Sequence, residues 1–159
     1  MADEHAFLLQ RVQPAMVGLV DGSLATLAPI FAVALATHKP HYAFVAGLAS
    51  ALAAAVSMAY SEGLSDTGEL TGRGHPAVRG TITGAGTFLG GILHTLPFLI
   101  PHYHVALAAA VVVVGFEMIG LAWIRWRFFS ANYFSSLAWI VLAAAIIIVV
   151  SGALGQAAG

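Results

Sequence analysis

Three observations predict an all-α membrane protein of five crossing helices. Hydrophobic residues make up 60% of the 159-residue chain and charged residues only 8%, where a soluble domain carries roughly 25% charged residues. Mean hydropathy is +0.91. Five segments each offer the ~20 mostly apolar residues that a crossing needs, divided by short separators rich in breakers or charge. The net charge of −1, with no basic tract, argues against a nucleic-acid partner. The absence of cysteine excludes disulfides and thiolate metal centres.

The opening "MADEHAFLLQRVQP" is not expected to be a signal peptide, since acidic residues precede its apolar part and no cleavage site follows. Residues 1–14 are expected as a cytoplasmic amphipathic lead-in (Phe7, Leu8, Val12) to a single five-helix domain over 15–159. The spans are expected at about 15–36, 42–60, 78–100, 105–124 and 134–154. Their separators are "THKPH", "SEGLSDTGELTGRGHPAVR", "PHYH" and "RWRFFSANY". An odd number of crossings puts the termini on opposite sides. Arg11, Arg73, Arg79, Arg125 and Arg127 fall on the N-terminal side, and only Lys39 on the other. The positive-inside rule therefore predicts a cytoplasmic N-terminus and an external C-terminus. Trp123, Trp126, Phe128, Phe129 and Tyr133 fit an interfacial aromatic belt on the cytoplasmic side.

With that orientation, helix rise converts sequence position into depth. Asp21 is expected roughly 8–13 Å inside the cytoplasmic boundary, Met58 roughly 6–12 Å and Glu117 about 12 Å. Three helices thus bring two carboxylates and a thioether to one layer. An ionisable group inside a span is rare and faces a cavity or another helix. Asp21 lies between Gly18 and Gly22, a small-xxx-small spacing suited to close helix approach, so a hydrogen bond to a neighbouring helix is the plain alternative to a cation site. Pro29 has no N–H to give the carbonyl of Ala25, leaving an oxygen one turn beyond Asp21 for an ion or water.

Met58, Glu62 and Asp66 follow at i, i+4 and i+8 and share a face if the helix persists. A thioether beside carboxylates suits Fe²⁺ better than Mg²⁺ or Ca²⁺, although Met also fills packing gaps anywhere. Glu62 and Asp66 equally fit a solvated helix end. Two carboxylates in a low-dielectric layer repel, so an arriving cation would displace a proton held by Glu117 or Asp21. Gly80, Gly84, Thr87, Gly91 and His94 share one face of the third span, best read as tight helix packing. His94 joins His38, His41, His102 and His104 toward the outer side; as an exit-side group it would relay protons or hold departing metal, with interfacial decoration the simpler account.

The stretches "GLVDGSLATLAPIFAVALA", "GLASALAAAVSMAYSEGLSD" and "LTGRGHPAVRGTITGAGTFLGGILHTLPFLIP" resemble, in order and spacing, the vacuolar iron transporter family. The likeness is strongest to the membrane domain of bacterial membrane-bound ferritins and covers about residues 12–129. It implies a five-helix homodimer in a bacterial inner membrane, exporting Fe²⁺ or Mn²⁺ from the cytoplasm in exchange for protons. The pathway it implies runs along the dimer interface, lined by residues matching Asp21 and Met58. Plant-type members insert a helical metal-binding domain between the second and third spans; here only "SEGLSDTGELTGRGHPAVR" fills the gap, with Glu62, Asp66 and Glu69 as a reduced collecting site. Many members carry a glutamate eight residues before the methionine, where this chain has Ser50, and Glu117 is expected to supply that carboxylate. The ferritin-like domain has no counterpart here, which leaves a separate ferritin-like partner as one way of delivering iron.

The function expected is therefore secondary transport of a divalent transition metal, with no permanently bound cofactor and with metal, protons, lipid and a second copy as partners. Candidate metal residues are Asp21, Met58, Glu62 and Glu117, with Glu117 and Asp21 coupling protons. A passive cation channel using the same acidic layer is the first alternative. A structural helix-packing protein is the second, and it leaves two deep carboxylates unexplained. An enzyme is not expected, since no Ser-His or His-x-x-x-His pairing falls within a span.

Overall fold

The computed structural model describes residues 2–158, all helix and connecting turn, with no strand among them. Helix α1 (Ala2–Phe7) passes through a π-helical turn (Leu8–Val12) into α2 (Gln13–Ala25), so the lead-in continues the first apolar helix. After Thr26 come α3 (Leu27–Thr37), α4 (Pro40–Ser65), α5 (Pro76–Leu93), a 3₁₀ turn (Leu96–Leu99), α6 (Tyr103–Phe129) and α7 (Tyr133–Ala158). Four helical stretches are long and apolar enough to cross a membrane: Asp3–Thr37, Pro40–Ser65, Tyr103–Phe129 and Tyr133–Ala157. This is the make-up of a multi-pass membrane protein. The chain's exposed surface agrees: Phe116, Trp139 and Val149 are each about 70% exposed on helices whose opposite sides are packed, as on a surface that faces lipid or a partner.

Helix α5 is not among those four. It is 18 residues of largely glycine, threonine and alanine, because two neighbours consume its surface at close range. On one side Gly86 and Gly90 meet the α2 backbone, where an added Cβ would sit 2.8 Å from the Ala15 carbonyl oxygen and 2.5 Å from that of Leu19. Gly18 and Gly22 of α2 return the contact, pressed on the backbones of Thr83 and Thr87. On the other side Gly80 and Gly84 abut the carbonyls of Ala59 and Ala55 on α4. Backbones this close gain dispersion contacts without needing large side chains, so the glycine face reads in the structure as packing. A separate apolar core joins Leu27, Ile30 and Phe31 of α3 with Phe98, Ala106, Ala110, Val114 and Met118.

Several boundaries differ from expectation, each for a physical reason. The first apolar helix is interrupted at Thr26 (φ −83°, ψ −17°), where the hydroxyl donates to the Gly22 carbonyl and Pro29 cannot extend the regular ladder backward. Helix α4 runs to Ser65 rather than Tyr60, since Arg73 of the following loop and Arg79 of α5 hold its polar last turn. Helix α5 stops at Leu93, short of Ile100, and the chain turns through Thr95 into the 3₁₀ segment. Helix α6 carries on past Arg125 and Arg127 to Phe129; long arginine stems reach polar surroundings without ending a helix. It ends at Ser130, whose left-handed φ of 52° makes the cap.

Candidate functional site

Asp21 owes its direction to the glycines beside it. Gly18 and Gly22 face α5, so Val17, Asp21 and Ala25, one position back at four-residue spacing, turn outward. Val17 and Ala25 are exposed and Asp21 half-buried. The carboxylate lines an open cleft of about 530 Å³ with Met16, Val20, Leu24, Ile147 and Arg125. Among the described residues none hydrogen-bonds or ion-pairs with it. Arg125 is the one cationic side chain in that lining.

Met58 is half-buried on α4 and is not among the residues lining this cleft. Within one chain, the expected layer of Asp21, Met58 and Glu117 is not assembled into a single cluster. Among the described residues no group of three or more His, Asp or Glu side chains is placed to hold a metal.

The expected collecting residues are otherwise engaged. Asp66 lies beyond the end of α4 with extended backbone (φ −162°, ψ 163°), so it leaves the face that Met58 and Glu62 share. Arg79, wholly buried at the start of α5, directs Nε to Glu62 at 2.8 Å and a terminal nitrogen to Asp66 at 3.3 Å. Arg73 spans the same two carboxylates at 2.7 and 3.1 Å. Arg79 also donates to the Gly74 carbonyl at 2.9 Å. Two positive and two negative groups thus close a neutral knot across the α4–α5 connection, and Glu69 stays outside it, exposed. Gly68 is required at its turn, since φ is +82° and a Cβ would strike the Gly74 carbonyl.

Desolvation pushes the Asp66 carboxyl upward. The hydrogen bonds from Thr71 and the Gly68 N–H, with the charges of Arg79 and Arg73, outweigh it and hold the group below the usual aspartate value. A lowered folded-state pKa stabilises above the unfolded value and is lost as pH falls through the folded one. The 66–75 connection is therefore expected to loosen only on acidification below about pH 4. Hydrogen-exchange mass spectrometry of that segment across an acid series checks this; protection lost already near neutrality would contradict it.

His94 departs most from expectation. Rather than decorating the interface, it is fully buried just past the end of α5. Its Nδ1 lies 2.9 and 3.2 Å from the two carboxylate oxygens of Glu117 on α6, and Nε2 lies 2.8 Å from the Thr26 hydroxyl at the α2–α3 break. Glu117, expected as a metal ligand, is turned to His94, its side chain only 7% exposed. The other outer histidines, His38, His41, His102 and His104, are exposed as expected. Among the described residues, Asp21 is thus the carboxylate within an apolar helix that has no protein partner. Comparison with family models, with curated proteins and with solved structures found no match.

Sequence reasoning missed Thr26 and Arg79. The periodicity that put His94 on the glycine-packed face of α5 already implied burial, and that was the available signal. Arg79 lies one turn before Thr83, which packs on Gly18 of α2, but read as a loop charge.

Proposed function

We propose that the protein is a divalent transition-metal transporter, moving Fe²⁺, and Mn²⁺ with it, out of the cytoplasm in exchange for protons. The observation that carries the proposal is the unpartnered Asp21 carboxylate in an open apolar cleft of the first long helix. A charge there is costly unless paired, and a dication is one partner of the right sign. Two copies related by a two-fold axis would bring two Asp21 side chains together, so that one dication neutralises both, with Met58 adding a soft ligand. Helix α5 then serves as the fifth crossing, packed between α2 and α4 on two sides and leaving Val78, Thr81, Ala85, Leu89 and Leu93 on its open side. The resemblance of the quoted stretches to the vacuolar iron transporter family supports the same assignment. Glu62 and Asp66, tied to arginines, hold the cytoplasmic connection together and are left out of the ligand set, as is Glu117.

The test is uptake of Fe²⁺, Mn²⁺, Co²⁺ and Zn²⁺ by proteoliposomes across an imposed pH step. An opposing proton gradient is expected to drive Fe²⁺ and Mn²⁺ uphill, and Met58→Ala to lower Fe²⁺ flux about tenfold, the equivalent of 1.4 kcal/mol. Strictly downhill flux indifferent to the pH step would identify a channel; no flux with any metal overturns transport altogether.

A further inference from the structure

The end of the molecule away from the Glu62–Asp66 knot carries a second cleft, separate from the one at Asp21. It encloses about 570 Å³ between the α3–α4 turn and the 3₁₀ segment. His38, Lys39, His41 and Tyr42 line it with polar groups. Phe44, one helical turn further into α4, joins Phe98 and Leu99 as its apolar part. Two helices of crossing length begin at this level, Pro40–Ser65 and Tyr103–Phe129, and the rings of His38 and Tyr103 meet at 4.9 Å. The cleft therefore lies where the apolar layer ends, at the depth of lipid headgroups. Its charge is one-sided. Lys39 is the chain's single lysine, and no side-chain carboxylate occurs from Gly22 to Ser61 or from Leu70 to Phe116. Among the described residues no acid pairs with its ammonium, which stands 5.4 Å over the Tyr42 ring. Each imidazole adds at least one N–H donor in any protonation state.

We propose that this cleft binds an acidic phospholipid, its headgroup phosphate on Lys39 and the imidazole N–H groups and its acyl chains along Phe44 and Leu99. Charge complementarity selects that occupant. An acidic lipid brings one net negative charge to a lining with one fixed positive charge and no negative one, in surroundings that water screens incompletely. A zwitterionic lipid brings an ammonium as well, for which the lining has no carboxylate, and the face of Tyr42 already lies beneath Lys39. A metal ion fits poorly, since Lys39 stands between the two histidines in the chain and no acid joins them. The backbone agrees with a built site. His38 ends α3 with a left-handed φ of 53°, a conformation that glycine adopts more easily. A side chain held there at a conformational cost points to a task for that side chain, and here it keeps an imidazole in the lining of the cleft.

Because the chain lacks cysteine, Val45→Cys labelled with bimane puts one fluorophore beside the cleft; Val45 follows Phe44 and is exposed. The full chain is reconstituted in phosphatidylcholine vesicles containing brominated phosphatidylglycerol, and in matched vesicles where phosphatidylcholine carries the bromine. The two quenching curves give the relative affinity of the lipids near the label. Phosphatidylglycerol is expected to be preferred about fivefold, the worth of one lysine at an anionic headgroup. Lys39→Gln should bring the ratio to about one and Lys39→Arg should keep it near fivefold. His38→Gly relaxes the backbone, so it is expected to raise the melting temperature while lowering the preference, and it decides the matter should Lys39→Gln not fold. Equal quenching by the two lipids in the native chain, or a preference that survives Lys39→Gln, would overturn the proposal. Excess inorganic phosphate is expected to leave the quenching unchanged; if it removes the preference, the cleft is a free-anion site and the lipid assignment falls. No metal is present in any arm, so the outcome is separate from that of the transport assignment.

Discussion

Asp21→Asn is expected to abolish metal flux while leaving the helices packed as they are. Asparagine keeps the shape of the side chain, and the native carboxylate bonds to none of the described residues, so no such loss disturbs the fold. Only the charge goes. Two unit charges 4 Å apart attract by about 4 kcal/mol at an effective dielectric constant of 20, and a dication doubles that. Part is offset by desolvation of the ion, so the flux is expected to fall by at least about 100-fold, or ~2.7 kcal/mol. Proteoliposome uptake reads the rate, and a thermal melt of the same preparation confirms the fold. Asp21→Glu is expected to restore part of the flux, since the charge returns on a longer arm. Asp21→Asn carrying metal at the native rate with an unaltered melt would reduce the residue to lipid-facing ornament.

The second large effect is expected at Arg79. Arg79→Met retains the apolar stem and removes a guanidinium that is wholly buried and touches Glu62, Asp66, Ser65 and the carbonyls of Gly74, Glu62 and Asp66. Glu62 and Asp66 are then left to share Arg73. Deleting one member of a buried ion pair costs about 3–5 kcal/mol because the other is stranded. The folded yield and melting temperature in detergent should fall accordingly. Arg79→Lys should recover little, because an ammonium cannot fork to both carboxylates. Arg79→Met combined with Glu62→Met should recover more than either single change predicts, since one carboxylate and one guanidinium then remain in balance. Purely additive losses in the double variant would show that the knot is not a coupled unit.

The helices and their close packing were legible in the chain because both write themselves in local periodicity. Apolar runs marked the long helices, and glycines at four-residue spacing marked where backbones meet. Asp21 was legible for the same reason: its neighbours at 18 and 22 decide which way it points. Partnerships between helices were not legible. Glu117 could be given a depth but not a rotation, and its choice of His94 over the Asp21 cleft depends on how α6 is turned about its own axis. Glu62 and Asp66 read as a cation collector because carboxylate spacing is visible in a sequence. That Arg73 and Arg79 fold back onto them depends on the left-handed turn at Gly68, eleven residues before Arg79. A charge counted on the cytoplasmic side proved to be an interior strut.

The interruption at Thr26 has an electrical consequence. One continuous helix from the N-terminus to Thr37 would present its macrodipole only at its two far ends. Split where it is, α3 starts so soon after α2 that the positive pole of one meets the negative pole of the other and the two largely cancel. What the break leaves is local: Pro29 has no N–H to give the Ala25 carbonyl, so that oxygen, one turn beyond Asp21, adds its partial negative charge to the carboxylate's.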